Sequence, residues 1–318
     1  MTGDGPGAVL GLLRERQRRR SVPGRRDDGA RLVLLVEGGS SRGAYSSGMT
    51  VPIEQGGLLP LFDAVYGSSA GTLNAAWLLC GRVEQSKHAW WDPAVMRTTI
   101  NPRRAFTRRP VVDTRHLVHT IYTQLVPMGF QEILDNPVEF HPMATDGLSG
   151  ESTDLHKTVH DTLSVQTALR ASTAMPLLAG EPVVIDGRPY VDAGLTEMVP
   201  VRTALAQGAT HVVALRTRRS DEVAMPPARA ERLLLTRWFA RYAPGAAEPW
   251  LRRVESWVEE EAALQSHPAC LQIRPPLGSA QIGRTERGPA VLRAAFDTGV
   301  AAAREALASV LDRAHETR

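Results

Sequence analysis

One stretch of this sequence, Leu61 to Cys80, reads LFDAVYGSSAGTLNAAWLLC and constrains the fold more than any other. Its run from Phe62 to Tyr66 is short, apolar and β-prone, which predicts a buried strand, and Thr72 to Cys80 has the few polar residues of a buried helix. Between them the sequence GSSAG fills positions 67–71. A strand, the pattern G-x-S-x-G and a helix, in this order, predict a nucleophile elbow with Ser69 at its tip.

The residue types in this turn suit such an elbow. Ser69 would occupy a strained turn with its hydroxyl exposed, and the strand and helix backbones would pass so close that side chains at Gly67 and Gly71 would clash. The turn also places Ser69 at a helix N-terminus, where free N–H groups favour developing negative charge. A structural Gly/Ser turn is the alternative, and the flanking strand and helix favour catalysis.

A second glycine-rich loop precedes the elbow. Arg31 to Val36, RLVLLV, predicts a buried strand, the loop EGGSSRG follows at 37–43, and a helix is expected over about 44–55. The loop lacks the GK[ST] ending and the G-x-G-x-x-G spacing of phosphate-binding loops. The alternative is an oxyanion hole, because Gly38 and Gly39 let backbone N–H groups point outward. Two successive βα units predict a parallel sheet with both turns at its carboxyl edge.

The remaining pattern predicts further helices and strands around these two units. Helices are expected at 114–125, 155–169, 200–207 and 289–314 and as an amphipathic pair within 229–266, strands at 137–146 and 210–216, and an Asp-Gly hairpin at 183–191. The expected organisation is a flexible basic arm over residues 1–30 and a catalytic domain over 31–318, which includes a helical layer at about 229–318.

Composition limits the class of protein and its partners. The 318 residues are 43% hydrophobic and 22% charged, as in an ordinary well-cored protein. A net charge of +3, from 37 basic and 34 acidic residues, is too balanced for a nucleic-acid-binding protein. We expect no transmembrane helix and no secretory signal, because no apolar stretch is long enough. Two distant cysteines, Cys80 and Cys270, predict free thiols and a cytoplasmic location.

The amino-terminal arm combines apolar and basic residues. Val9, Leu10, Leu12 and Leu13 precede seven arginines between Arg14 and Arg26. Such a segment is typical of a solvated, flexible leader. The alternative is an amphipathic anchor that makes peripheral contact with an anionic membrane.

A serine nucleophile needs a base, and two kinds of candidate are present. Among nine histidines, His267 is the best late candidate for a Ser-His-acid triad, whereas His211 begins a strand at the wrong end. Asp192 ends an extended segment and precedes Ala193-Gly194. Its carboxylate can act alone as base if burial raises its pKa.

These loops together resemble the bacterial patatin-like phospholipases. The family carries G-G-G-x-[RK]-G, G-x-S-x-G and D-G-[GA], which correspond here to residues 38–43, 67–71 and 192–194. The segment Ala171 to Pro176 and the pair Thr145-Asp146 are also similar, and the likeness extends over about 31–201. The resemblance implies a three-layer α/β/α fold with a mainly parallel central sheet and added C-terminal helices.

The resemblance also implies roles for individual residues. Ser69 would be the nucleophile and Asp192 the base, and the reaction would hydrolyse acyl esters of lipids without a metal or other cofactor. The amides of Gly38, Gly39, Ser40 and Ser41 would form the oxyanion hole, with support from Arg42, Gly43, Gly67, Gly71 and Gly194.

Two residues depart from the family pattern. Ser40 replaces the third glycine of the first loop, and Ala193 replaces the commoner glycine beside the acid. Two other functions therefore stay open. One is an esterase or thioesterase that uses Ser69, a carboxylate and His267, and the other is a non-catalytic scaffold that binds lipid. The sequence leaves the headgroup, the acyl-chain preference and the oligomeric state open.

Overall fold

The structure of the protein is a computed structural model that describes residues 5–107, 109–223 and 228–316. A sheet of eight strands within these residues forms its centre. In chain order the strands are β1 Leu32–Val36, β2 Ala64–Gly67, β3 Glu139–Asp146, β4 Ser152–Asp154, β5 Val183–Ile185, β6 Arg188–Val191, β7 His211–Leu215 and β8 Cys270–Ile273.

The sheet is mainly parallel, as the two βα units predicted. Strands β3, β2, β1, β7 and β8 are neighbours in that order and run parallel. Beyond β3 the sheet continues antiparallel through β6 and β5, and β4 also pairs antiparallel with β3. All the parallel strands therefore end at one edge, where the loops after β1 and β2 meet.

The helices lie between these strands and after them. In chain order they are α1 Gly5–Arg18, α2 Gly43–Gln55, α3 Ala70–Leu79, α4 Val83–Trp91, α5 Pro93–Thr99, α6 Thr114–His116, α7 Phe130–Asp135, α8 Thr162–Ser172, α9 Val201–Ala206, α10 Arg229–Tyr242, α11 Ala247–Leu251, α12 Arg253–Ser266 and α13 Pro289–Glu316. The short helix α6 continues as a π-helix over Leu117–Leu125. The helix predicted at 155–169 begins later, because Asp161 caps α8 through a hydrogen bond from the Ser164 amide.

The central strand β1 shows why the fold has three layers. Successive side chains of a strand point to opposite faces of the sheet. Leu32, Leu34 and Val36 pack into the core that includes α2, α3 and α13. Val33 and Leu35 pack on the other face, with residues of α9 and α12. The fully apolar run of β1 is thus covered on both sides, and the predicted three-layer α/β/α class is confirmed.

The predicted flexible arm over residues 1–30 is wrong for the part that the structure describes, while residues 1–4 lie outside it. Val9 and Leu13 of α1 are fully buried in the same core as β1. Arg16 is also buried and pairs with Asp28 at 2.7 Å and Asp63 at 2.9 Å. These contacts hold α1 against the sheet, and they remove the apolar face on which the membrane-anchor alternative depended.

The predicted helical layer at about 229–318 contains a strand that the sequence did not indicate. β8 pairs in parallel with β7 and extends the sheet by one strand. Its four residues are too few to give a clear alternating pattern. Both cysteines are buried and unbridged, as expected. Within the described residues, no helix combines the length and apolarity needed to cross a bilayer.

Candidate active site

The turn after β2 has the strained geometry expected of an elbow. Ser69 directly precedes α3 and has φ 53° and ψ −125°. Residues other than glycine rarely adopt this backbone conformation. A Cβ on Gly67 would lie closer than 3.0 Å to the Thr72 backbone, and one on Gly71 closer than 3.0 Å to the carbonyl oxygen of Val36. Both predicted close approaches are therefore present, and they hold the turn in place.

The structure brings Ser69 and Asp192 together. Ser69 Oγ donates a hydrogen bond to Asp192 Oδ2 at 2.7 Å, and the Gly194 amide donates to Asp192 Oδ1 at 2.9 Å. Ser69 is 5% exposed and Asp192 6% exposed. Burial raises the pKa of the Asp192 carboxyl to about 6, although the hydrogen bonds from Ser69 and Gly194 favour its ionised form. A carboxylate with this pKa can both accept and return a proton near neutral pH.

Backbone and side-chain hydrogen bonds fix both residues. The Asp192 carbonyl accepts from Thr145 Oγ1 at 2.9 Å, and the Asp192 amide donates to the Ala174 carbonyl at 3.1 Å. The Ser69 amide donates to Ser172 Oγ at 3.0 Å. Ser172 has no role in the sequence-based prediction, although it belongs to the segment 171–176 that contributed to the family resemblance.

The loop after β1 lies directly against the elbow. A Cβ on Gly38 would lie 2.7 Å from the Ser68 carbonyl oxygen and 3.0 Å from Ser69 Cβ, so only glycine fits there. The Gly38 amide donates to the Met198 carbonyl at 3.2 Å. Among the described residues, the amides of Gly39, Ser40 and Ser41 have no hydrogen-bond partner. Of the four predicted oxyanion donors, Gly38 is thus already engaged and the next three are free.

Distant segments hold this loop from outside. Thr217 Oγ1 donates to the Gly38 carbonyl at 2.6 Å, and Ser40 Oγ donates to the Arg284 carbonyl at 2.5 Å. Ser41 Oγ lies 2.9 Å from the Glu286 carbonyl oxygen. Thr217, Arg284 and Glu286 come from parts of the chain where no sequence motif marks them. Only the fold brings them to the loop.

Glu37, whose charge lies just before the loop, is neutralised inside the protein. Its Oε2 accepts hydrogen bonds from Arg216 Nε at 2.9 Å and from the Thr217 amide at 2.7 Å. Burial alone would raise the pKa of Glu37, but Arg216, Arg218 and the Thr217 amide hold it below its ordinary value. The carboxylate therefore stays ionised beside these cations, although its Oε1 accepts no hydrogen bond among the described residues.

The two remaining motif residues of the loop, Arg42 and Gly43, have different surroundings. A Cβ on Gly43 would lie 2.9 Å from the Ala70 side chain and 2.7 Å from Trp90, so glycine lets α2 start beside α3. Arg42 is partly buried beside Gly39, and its Nε has no hydrogen-bond partner among the described residues. Its guanidinium faces the same cavity as Ser69.

Two cavities meet at Ser69. One has a volume of about 510 Å³ and is also lined by Gly39, Ser40 and Asp192. The other is smaller, about 80 Å³, and almost wholly apolar, with lining side chains that include Leu73, Trp90, Met96, Ile100, Val112 and Leu117. The Ser69 hydroxyl therefore lies where the larger cavity, which has charged and apolar lining residues, joins the small apolar cavity.

His267, the histidine candidate for the base, lies elsewhere. It follows α12 directly and lies three residues before β8, at the edge of the sheet opposite the two glycine loops, and its Nδ1 accepts a hydrogen bond from the Ala269 amide at 3.2 Å. It lines a separate cavity with Gly5 and Pro6 of α1. The structure thus places Asp192, and not His267, beside Ser69.

A three-layer α/β fold with a strained serine turn that faces a glycine-rich loop is typical of serine acyl hydrolases. The chain belongs to the patatin-like phospholipase family, since the model of this family matches residues 34–205, more than half of the chain. The predicted resemblance to this family is thereby confirmed.

Two individual proteins show similarity beyond the family model. The uncharacterized protein YjjU of Escherichia coli (strain K12) is 25% identical over 235 residues, which cover 73% of this chain and 58% of that protein. The chain thus spans less than two thirds of this relative. The crystal structure of VipD from Legionella pneumophila superposes with a TM-score of 0.52 at 15% identity, covering 88% of this chain and 67% of VipD. At that identity the likeness concerns the fold alone.

Proposed function

We propose that the protein hydrolyses carboxylic acyl esters of lipids through a dyad of Ser69 and Asp192. The observation that carries this proposal is the 2.7 Å hydrogen bond from Ser69 Oγ to the buried Asp192 carboxylate. A serine hydroxyl becomes nucleophilic when a positioned base takes its proton, and Asp192 is placed to do so. Family membership supports a lipid acyl ester as the substrate.

The reaction would proceed through an acyl-enzyme. Asp192 takes the proton of Ser69 Oγ as this oxygen attacks the ester carbonyl, and the free amides of Gly39, Ser40 and Ser41 receive the oxyanion. The C–O bond to the alcohol then breaks, and Asp192 returns the proton to the departing alcohol oxygen. Asp192 next takes a proton from water, which attacks the acyl-Ser69 carbonyl, and Ser69 recovers its proton when the acid leaves.

The two cavities suggest how the substrate lies. The apolar cavity beside Leu73, Met96 and Leu117 suits the acyl chain, because burying methylene groups is favourable by about 0.8 kcal/mol each. The larger cavity, which contains Asp192, suits the alcohol portion. Ser69 lines both and would meet the carbonyl between them.

Active-site labelling tests the proposal directly. A fluorophosphonate should form a covalent adduct that peptide mapping locates at Ser69, and Ser69→Ala should abolish the adduct. Labelling of Ser69 together with turnover of a soluble p-nitrophenyl ester supports the hydrolase. A folded protein that neither labels at Ser69 nor turns over any acyl ester would instead be a non-catalytic scaffold, and the proposal would fail.

A further inference from the structure

Four arginines converge on the larger cavity beside Ser69. Its lining includes Arg42 from the first glycine loop, Arg218 after β7, Arg253 at the start of α12 and Arg284 before α13. The last three lie outside residues 34–205, which match the family model. Three of the four cations therefore come from the C-terminal part of the chain, beyond the residues that match the family model.

These guanidinium groups have few partners of their own. Arg218 Nε lies 3.9 Å from Glu37 Oε1, whose carboxylate is already bonded to Arg216. Arg284 lies 3.5 Å from Glu231 Oε1, with 56% of its side chain exposed. Arg253 donates to the Trp250 carbonyl at 3.2 Å. Positive charges that line one cavity repel one another unless an anion lies between them.

The acidic residues of the cavity offset only part of this charge. Glu260 accepts two backbone amide hydrogen bonds, and burial raises its pKa to about 8, so it is largely uncharged at neutral pH. Glu222 Oε1 lies 4.0 Å from the guanidinium of Arg219, which does not line the cavity. Asp192 and Glu231 together can balance only two of the four arginines.

We propose, on the basis of the function proposed above, that this cavity binds the phosphate of the substrate, so that the substrate is an acyl ester with a net-negative phosphate headgroup. Guanidinium groups bind phosphate oxygens through paired, charge-assisted hydrogen bonds. The volume of about 510 Å³ lies within the range of small-molecule sites, roughly 300–1,000 Å³. Ser69 at the junction of the cavities places the ester beside the phosphate.

The aromatic side chains of the cavity argue against a choline headgroup. Quaternary ammonium groups bind over the faces of aromatic rings. Here Arg253 lies over the Trp250 ring at 4.9 Å and Arg218 over the Trp257 ring at 5.5 Å. Because arginines already occupy these faces, a phosphocholine ester should be a poorer substrate than a glycerol phosphate ester with the same acyl chain.

The decisive measurement is a ratio of kcat/KM values. Three esters with one short acyl chain, used below micelle concentration, are compared: acyl glycerol phosphate, acylglycerol without phosphate, and acyl glycerophosphocholine. The wild type should prefer the first. Arg284→Gln should lower the ratio of phosphate ester to neutral ester by about 10- to 100-fold, the effect of losing one charged hydrogen bond. The double variant Arg253→Gln/Arg284→Gln should lower it further.

Arg287→Gln is the matched control, because Arg287 is exposed on the same loop and does not line the cavity. It should leave the ratio unchanged. Arg253 packs on Trp250, so melting temperatures are compared for every variant, and Arg284→Gln alone suffices if Arg253→Gln unfolds. Ser69-dependent hydrolysis with an unaltered ratio in Arg284→Gln would overturn the headgroup site and leave the hydrolase standing.

Binding to the Ser69→Ala protein separates this inference from catalysis. Calorimetry with acyl glycerol phosphate should give a dissociation constant at least about tenfold lower than with acylglycerol, and added salt should weaken only the former. Inorganic phosphate should bind more weakly than acyl glycerol phosphate, because it leaves the apolar cavity empty. Equal binding of inorganic phosphate would indicate a site for the free ion, and equal binding of the two esters would refute phosphate recognition.

Discussion

Ser69 and Ser40 both have a positive φ in two loops that touch each other. Ser69 has φ 53° and Ser40 has φ 54°, and each follows a neighbouring strand of the parallel sheet. A positive φ of this kind costs a residue other than glycine on the order of 1–3 kcal/mol. The two loops support this cost by different means.

The elbow is held by close packing of two glycines that lie two residues before and two residues after Ser69. Gly67 and Gly71 let the backbones of Thr72 and Val36 approach closer than any side chain would allow. Ser40 is held instead by its own hydroxyl, which bonds to the Arg284 carbonyl 244 residues further along the chain. Packing of glycines thus fixes the proposed nucleophile, whereas long-range hydrogen bonds, of which that of Ser40 is one, fix the proposed oxyanion loop.

This difference in support predicts which substitutions each loop can accept. A site held by backbone contact offers no space, so a change there must move the strand or the helix. A site held by one hydrogen bond loses only that bond and can relax. We therefore expect the elbow to be intolerant and position 40 to be permissive, and four experiments can break or sharpen this contrast.

The largest effect is expected from removing the dyad itself. Ser69→Ala and Asp192→Asn should each lower kcat/KM on an acyl ester by about 10⁴-fold or more, because groups that act as a unit lose most of their effect when either is absent. Steady-state kinetics on protein whose circular dichroism spectrum matches that of the wild type would measure this.

His267→Ala is the control for the dyad. His267 lies at the far edge of the sheet, so its removal should leave turnover unchanged. If His267→Ala were as damaging as Asp192→Asn in a folded protein, a Ser-His-acid triad would replace the dyad.

The next effect concerns the support of the elbow. Gly71→Ala should lower the free energy of unfolding by about 3 kcal/mol, because its Cβ would strike the Val36 carbonyl at the end of β1. Gly11→Ala is a matched change inside a helix, and nothing lies within 4 Å of its added Cβ. It should stabilise α1 slightly, by up to about 1 kcal/mol. Urea unfolding of both variants compares them, and equal stabilities would show that the elbow is not held by packing.

The pH dependence tests the base of the dyad. With a pKa of about 6, the Asp192 carboxyl should be protonated in acid, so kcat/KM should fall about tenfold for each pH unit below that value. The raised pKa also means that the folded protein binds this proton more tightly than the unfolded chain. Stability that Asp192 contributes below pH 3.8 is therefore lost as the pH rises through about 6.

Asp192→Asn should remove this loss of stability. The melting temperature of the variant relative to the wild type should rise between pH 4 and pH 7, and this readout does not depend on turnover. A difference that stays constant over that interval would contradict a raised pKa at Asp192.

Much of the fold and of the candidate site could be predicted because its signals are local. The glycines around Ser69, the apolar run of β1 and the Asp186-Gly187 turn each lie within a few residues of the structure they specify. Periodicity and turn chemistry are properties of neighbouring residues, so a single sequence displays them.

The features that were missed depend on distant partners. In the sequence, Arg16 is one of a run of arginines that predicts a solvated arm. In the structure it is paired with Asp28 and Asp63. β8 is a strand because β7 lies beside it. Thr217 reaches the Gly38 carbonyl across 179 residues, and no pattern around Thr217 marks that contact. The arginines that line the larger cavity beside Ser69 are likewise brought together only by the folded chain.

Position 40 depends on both a local signal and a distant partner, and substitutions there are expected to have the smallest effect on stability and turnover. The departure from glycine was visible in the sequence, but its partner, the Arg284 carbonyl, was not. Ser40→Gly should remove about 1 kcal/mol of backbone strain and lose a hydrogen bond worth about 1 kcal/mol, so stability should change little. Ser40→Ala keeps the strain and loses the bond, so it should be the less stable of the two by about 1–2 kcal/mol.

Turnover should follow the same logic, since the amide of Ser40 keeps its place in all three proteins. Ser40→Gly should change kcat by no more than about tenfold, the equivalent of 1.4 kcal/mol. Losing a formed oxyanion donor would cost about 2.7–4 kcal/mol, so a properly shaped loop has little left to gain. A rise of a hundredfold or more in Ser40→Gly would mean that the natural serine holds the loop out of shape. The long-range hydrogen bond to Arg284 would then stabilise a poorly formed oxyanion site rather than a working one.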